Sequence, residues 1–200
     1  MIRDTVCFDD VLLVPQKSNI ESREEIDLTT NLGSVEFRFP VISSPMDTVT
    51  ESAMTLSMFK RGGLGIIHRY NSVKEQCDIV RQVAHELEET ESLNRNKIAA
   101  AIGTSDDFKS RAGALFDAGT RIFCIDVAHG HHVLVERSIK NIKDTFGESV
   151  TVIAGNVATP EAFKELSYWG ADAIRIGIGG GSICSTRIQT GHGVPTLQSV

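Results

Sequence analysis

From residue 39 onward, short apolar runs alternate with longer amphipathic stretches. The runs are Phe39–Ser44, Gly63–His68, Lys97–Ile102, Arg121–Asp126, Val150–Ala154 and Asp172–Ile176. Each is brief, nearly continuously apolar and bounded by polar or glycine residues, the pattern of a strand covered on both faces. The stretches between them read as helices. Ser72 to about Glu89 sets Val73, Cys77, Val80, Ala84 and Leu87 on one face. A second helix follows His132, with Val135, Ile139, Ile142 and Phe146 on one side and Gly147 at its end. Thr159-Pro160 opens a third, threonine as N-cap and proline at the first helical position. Residues 1–38 hold no period for long, and Phe8–Pro15 is a short apolar segment stopped by proline. The chain therefore divides into an irregular arm, 1–38, and a regular domain, 39–200.

Six βα-like units in succession predict an α/β fold with a parallel sheet and helical crossovers. Polar and glycine residues recur just after the runs: Ser44-Pro-Met-Asp47, His68-Arg-Tyr-Asn71, Gly103-Thr-Ser105, Asp126–His131, Gly155-Asn156 and Gly177–Cys184. Functional groups at every strand end suit a (β/α)8 barrel, whereas a doubly wound sheet concentrates them at one switch point. Such a barrel takes about 250 residues, so 200 residues with a long arm leave strands 7 and 8 unsupplied. Six strands would expose two sheet edges. Completion by a second chain, a homo-oligomer or omitted sequence is the expectation.

Composition narrows the function without choosing it. The chain is 41% hydrophobic and 23% charged, ordinary for a globular domain. A net charge of −6 gives no footprint for nucleic acid or an anionic membrane surface. No apolar stretch is long enough to span a bilayer, and Met1-Ile-Arg-Asp4 does not begin a signal peptide. The four cysteines, Cys7, Cys77, Cys124 and Cys184, are far apart and show no Cys-x-x-Cys pairing. Free thiols in a cytoplasmic protein are expected.

The most informative stretch is Gly177-Ile-Gly-Gly-Gly-Ser-Ile-Cys-Ser-Thr-Arg187, directly after the last apolar run. A strand running into glycines makes a tight loop whose amides can approach a ligand closely. Surrounding N–H groups and a nearby Arg175 or Arg187 would lower the Cys184 thiol pKa and make it a nucleophile. The duller alternative is a small hydrophobe packed under a loop. The glycines lack the offset of a dinucleotide fingerprint, and no Gly-Lys-Ser/Thr follows for a triphosphate loop.

Taken together, seven stretches resemble the IMP dehydrogenase / GMP reductase family, in that family's order and over nearly the whole chain. They are Phe8–Pro15, Ser43–Glu51, Gly62–His68, Asp126–His131, Ala154–Thr159, Gly177–Cys184 and Thr190–Pro195. The resemblance implies a (β/α)8 barrel whose cysteine adds to C2 of a purine nucleotide, with hydride passing to NAD and hydrolysis giving XMP in guanine nucleotide synthesis. It places Cys184 and Thr186 at catalytic positions and Ser44, Met46, Asn156 and Ser182 on the nucleotide side. Asp126, Arg175, Gly177, Ile178 and Gly179 fall toward the nicotinamide ribose. The carbonyls of Gly179, Gly181 and Cys184 match positions that hold a monovalent cation, usually potassium.

Duller alternatives stand beside these roles. Asn156 could bond its own turn, Asp126 could cap the next helix, and Met46 could be core. His129, His131 and His132 lack a matched ligand set for zinc and read as loop histidines beside the cofactor. His68 could line the pocket or be a satisfied polar residue, and the acidic run Glu86–Glu91 is a solvated helix end. Gly180 stands where the family usually carries proline or serine. Between Leu87 and Lys97, where dehydrogenases commonly insert regulatory CBS domains, only a short polar connection is present, so regulation through that module is not expected. GMP reductases also lack the insertion, which leaves NADPH-dependent reduction of GMP to IMP as the alternative. Ala128-His-Gly-His131 and Asn156-Val-Ala-Thr159 lie closer to the dehydrogenase form. A non-catalytic half-barrel is the remaining alternative.

Overall fold

The computed structural model describes residues 5–89, 97–105 and 107–200. Part of the acidic run and part of the Leu87–Lys97 connection lie outside the described residues. Six strands form one parallel sheet in sequence order: β3 (Ile42–Ser43), β4 (Leu64–Ile67), β5 (Ala99–Ile102), β6 (Ile122–Asp126), β7 (Thr151–Val157) and β8 (Ala173–Ile176). Helices alternate with them: α1 (Ser52–Lys60), α2 (Val73–Glu89), α3 (Phe108–Ala118), α4 (Val133–Phe146) and α5 (Pro160–Tyr168). This is the succession of βα units of a (β/α)8 barrel, six strands of it.

Strand residues alternate between two cores, as the two-residue period of a strand requires. Ile67, Ala100, Ile102, Phe123, Ile125, Val152 and Ala154 pack outward against the helices, joined by Val80 and Leu87 of α2 and Ile139 and Ile142 of α4. Leu64, Ile66, Ala99, Ala101, Ile122, Cys124 and Ile153 face inward. Full burial of one such Ile or Leu contributes about 1.5–3 kcal/mol, which is why the apolar runs settle as strands. The helix faces follow the sequence: Cys77, Val135 and Ile139 are buried, Gly147 caps α4, and the Thr159 hydroxyl accepts the Ala162 N–H at 3.2 Å with Pro160 at the first helical position.

The arm departs from expectation. Thr30–Leu32 (β1) and Val35–Phe37 (β2) form an antiparallel hairpin turned at Gly33, whose φ of +59° favours glycine. Val35 and Phe37 enter the inward core beside the small residues Ala99, Ala101 and Cys124. The hairpin fills the space those short side chains leave. Residues 5–29 run exposed along the outside. Strand limits also shift, most at two places. The first run is a strand only at Ile42–Ser43, and β7 continues to Val157, so Asn156 sits within a strand instead of after one. The longer β7 follows from pairing on both sides, Asp126 opposite Gly155 and Val157 opposite Ile176.

Candidate active site

Loops from the carboxyl ends of the strands enclose a cleft of about 410 Å³. Its walls include Ser44 and Met46 after β3, Asp126 ending β6, Asn156 in β7, Arg175 in β8, and Gly177, Ile178, Gly179, Cys184 and Thr186 beyond it. Ten of the sequence-assigned residues thus meet in one place. Ser182 and Gly181 do not line the cleft; both are exposed. Met46 is 40% exposed, which excludes the core alternative.

The cysteine loop is held by its glycines and by its neighbours. Gly177 and Gly179 have φ of +115° and +75°, conformations that side chains rarely adopt. The Cys184 N–H closes a turn onto the Gly181 carbonyl at 3.1 Å, and Val194 returns antiparallel to Ile178, donating its N–H at 2.9 Å. A Cβ at Gly180 would lie 2.2 Å from the Thr196 hydroxyl, so the bare residue fits where the family usually has a larger one. Asn156 Nδ2 donates to the Gly177 carbonyl at 2.9 Å, tying β7 to the loop instead of bonding its own turn.

Cys184 is half-buried and stands immediately before the short helix α6 (Thr186–Thr190). The Thr186 hydroxyl, the Thr186 and Arg187 N–H groups and the Arg187 charge hold its thiol below the ordinary range, the hydroxyl most strongly. Arg175 is not among these causes. It donates instead to Asp126 Oδ1, with Cys124 Sγ at 3.8 Å. The other thiols offer no rival nucleophile in the cleft: burial pushes Cys124 up to about 12 and raises Cys77, while Cys7 lies exposed on the arm.

Asp126 caps no helix; the His132 imidazole caps α4, accepting the Leu134 N–H at 3.1 Å. With Oδ1 taken by Arg175 and Arg69 Nε 4.0 Å from Oδ2, Asp126 Oδ2 can accept a hydroxyl from the cleft. Arg69 and Tyr70, absent from the sequence assignments, line the same wall, the Arg69 guanidinium 5.1 Å from the Tyr70 ring centre. The one sequence signal for them is their place just after a strand.

The loop histidines are not in this cleft. His129, His131 and His192 border a neighbouring, largely apolar cavity of about 440 Å³ behind Ile178 and Thr186. His131 pairs with Glu165 at 2.8 Å. Among the described residues no group of three or more His, Cys, Asp or Glu is placed to hold a metal ion. Carbonyl oxygens of Gly179, Gly181 and Cys184 have the chemistry a potassium ion takes. The Gly181 carbonyl also accepts the Cys184 N–H and keeps one lone pair for an ion. No helix among the described residues is long and apolar enough to cross a membrane.

Residues 5–200 match the family model described as the IMP dehydrogenase / GMP reductase domain. An inosine-5'-monophosphate dehydrogenase of Cryptosporidium parvum is 38% identical over 229 aligned positions, covering 96% of this chain and 56% of that protein. One from Staphylococcus aureus is 30% identical over 318 positions, covering 99% of this chain and 65% of that relative. The chain therefore spans between about half and two thirds of these relatives. Both alignments are longer than the chain, so each relative carries inserted sequence that this chain lacks.

Proposed function

We propose a function from one premise: this chain belongs to the IMP dehydrogenase / GMP reductase family. The activity is oxidation of IMP to XMP, a step of guanine nucleotide synthesis, through a covalent bond to Cys184. The observation that carries this reading is the thiol itself, activated by Thr186 and facing a cleft that already gathers Ser44, Met46, Asp126, Asn156 and Arg175.

In this reading the Cys184 thiolate adds to C2 of the hypoxanthine ring. NAD, which Asp126, Arg175 and the Gly177–Gly179 backbone would hold, would supply the acceptor for the hydride leaving that carbon. Water then displaces the sulfur, giving XMP, a proton and the regenerated thiolate, so that atoms and electrons balance. Ser44 and Met46 would seat the nucleotide. The Asp126 Oδ2 would accept ribose hydroxyls of the dinucleotide in a charge-assisted bond, with Arg175 fixing the carboxylate. The backbone of Gly177, Ile178 and Gly179 lets that ligand approach without a side chain in the way at either glycine. Ser182, which is exposed, would reach the nucleotide only if its part of the loop turned toward the cleft. A potassium ion on the Gly179, Gly181 and Cys184 carbonyls would stiffen the turn that presents the sulfur. Completion of the barrel by further sequence, a second chain or a homo-oligomer belongs to the same proposal.

Mixing the chain with IMP, NAD and potassium and following NADH tests this. With the barrel completed, wild type is expected to turn over, and Cys184→Ser to lose more than about a thousandfold, as nucleophile removal does elsewhere. Turnover of the serine variant at the parent's rate would refute the assignment. Consumption of NADPH with GMP, and none of NAD with IMP, would give the reaction to the reductase branch.

A further inference from the structure

Behind the cleft lies a line of buried polar groups that the proposed chemistry does not use. Gln76 in α2 is fully buried, a rare position for a glutamine. Its Nε2 donates to the His68 carbonyl at 3.0 Å and the Ala101 carbonyl at 2.8 Å, and its Oε1 accepts Arg111 Nη1 at 2.8 Å. Arg111 also donates to the Asn71 carbonyl at 3.2 Å and to Asp107 at 3.0 Å.

His68 closes the other end. The Tyr70 N–H donates to its Nδ1 at 3.1 Å, so that nitrogen presents a lone pair. In the neutral ring the proton then sits on Nε2, which donates to Glu51 Oε1 at 3.1 Å. Glu51 ends the loop that carries Ser44 and Met46, and Tyr70 and Arg69 form the adjoining wall. The His68 N–H completes the contact on the Thr50 carbonyl at 3.3 Å, while the Thr50 hydroxyl holds the Ser44 carbonyl at 2.6 Å. One buried imidazole therefore joins two walls of the cleft, and Gln76 and Arg111 extend the tie to the loop after β5.

We propose that His68 is a positioning residue for the cleft: as the Nε2–H tautomer it fixes the backbone at Tyr70 and, through it, the side of the cleft formed by Arg69 and Asp126. Arg69 Nε donates to the Asp126 carbonyl at 3.1 Å, which passes the placement on. The kinetic part of the test rests on the dehydrogenase reading; the rest does not.

Long-range proton–nitrogen correlation on the wild-type chain is expected to show His68 protonated at Nε2 and bare at Nδ1, and a proton on Nδ1 would overturn the proposal. Two variants separate its bonds. In His68→Asn the amide oxygen replaces Nδ1 and keeps the Tyr70 contact, whereas His68→Gln reaches Glu51 and loses it. Tyr70 amide exchange should quicken about tenfold in the glutamine variant and stay near wild type in the asparagine variant, with Ile102 and Ile125 protected in both. Equal exchange in the two, or loss of protection at Ile102 and Ile125 alongside Tyr70, would reduce His68 to a space-filler and overturn the proposal. In turnover, His68→Gln should raise KM for NAD about tenfold with kcat within about twofold; a fall in kcat at constant KM would contradict positioning. Absence of turnover in wild type with the barrel completed would sink the dehydrogenase reading alone, and amide exchange would then decide the role of His68.

Discussion

Arg175 and Asp126 meet across an intervening strand, and Gly155 is what lets them. Asp126 is in register with Gly155, and Gly155 with Arg175, so the three form one row over β6, β7 and β8. The middle residue has no side chain, and the guanidinium passes over it to the carboxylate. The dullest residue of the row decides the geometry of the other two.

Gly155→Ala should therefore disturb the site from beneath. Its Cβ would lie 2.7 Å from both the Cβ and the carbonyl oxygen of Arg175, and backbone must shift to admit it. Overpacking of this kind costs about 1–3 kcal/mol. Urea denaturation is expected to show that loss, and an unchanged midpoint would mean that β7 and β8 are not as close as described.

Thr186→Val removes the largest influence on the Cys184 thiol. The reactive form is the thiolate, and a lowered pKa keeps more of it at neutral pH. Without the hydroxyl the pKa rises, so alkylation of Cys184 should slow at pH 7 and its pH profile should move to higher pH. Profiles of iodoacetamide labelling that superimpose for wild type and variant would count against Thr186 as the activating group.

Asn156→Ala severs the 2.9 Å bond to the Gly177 carbonyl. One such bond is worth about 0.5–1.5 kcal/mol net, enough to loosen the loop without unfolding the sheet. Trypsin should cut after the exposed Arg187 faster in the variant, with a small change in melting temperature. Cleavage at the parent's rate would show that the loop is held by other means.

Two arm positions should behave in opposite ways. Phe37→Ala empties a buried site in the inward core and should cost about 3–5 kcal/mol. Leu12 is 95% exposed, and Leu12→Ala should stay within about 0.5 kcal/mol. Chemical denaturation of both variants checks the contrast, and similar costs would contradict the different packing of the two segments.

The six strands were legible because residues such as Ile66-Ile67 and Ile122–Ile125 are apolar on both faces, a signal that needs no knowledge of neighbours. Strand-end placement then brought Ser44, Asp126, Asn156 and Cys184 into one list before any contact was known. The hairpin was not legible, since three-residue strands such as Val35–Phe37 carry too few alternations to stand out. α1 and α3 were unbounded in the sequence for a related reason: α1 buries only Thr55 and Leu56, and α3 relies partly on Ala112 and Ala118. The partner of Arg175 depended on strand register, which spacing alone does not give. Arg69 and Tyr70 required the cleft itself.

The most direct measurement is the intact mass of the chain quenched in acid during incubation with IMP, NAD and potassium, followed by peptide mapping. The account predicts a nucleotide-sized gain on the peptide that contains Cys184, absent from Cys184→Ser. An unmodified Cys184 while NADH accumulates, or the same gain at Cys7, would contradict it.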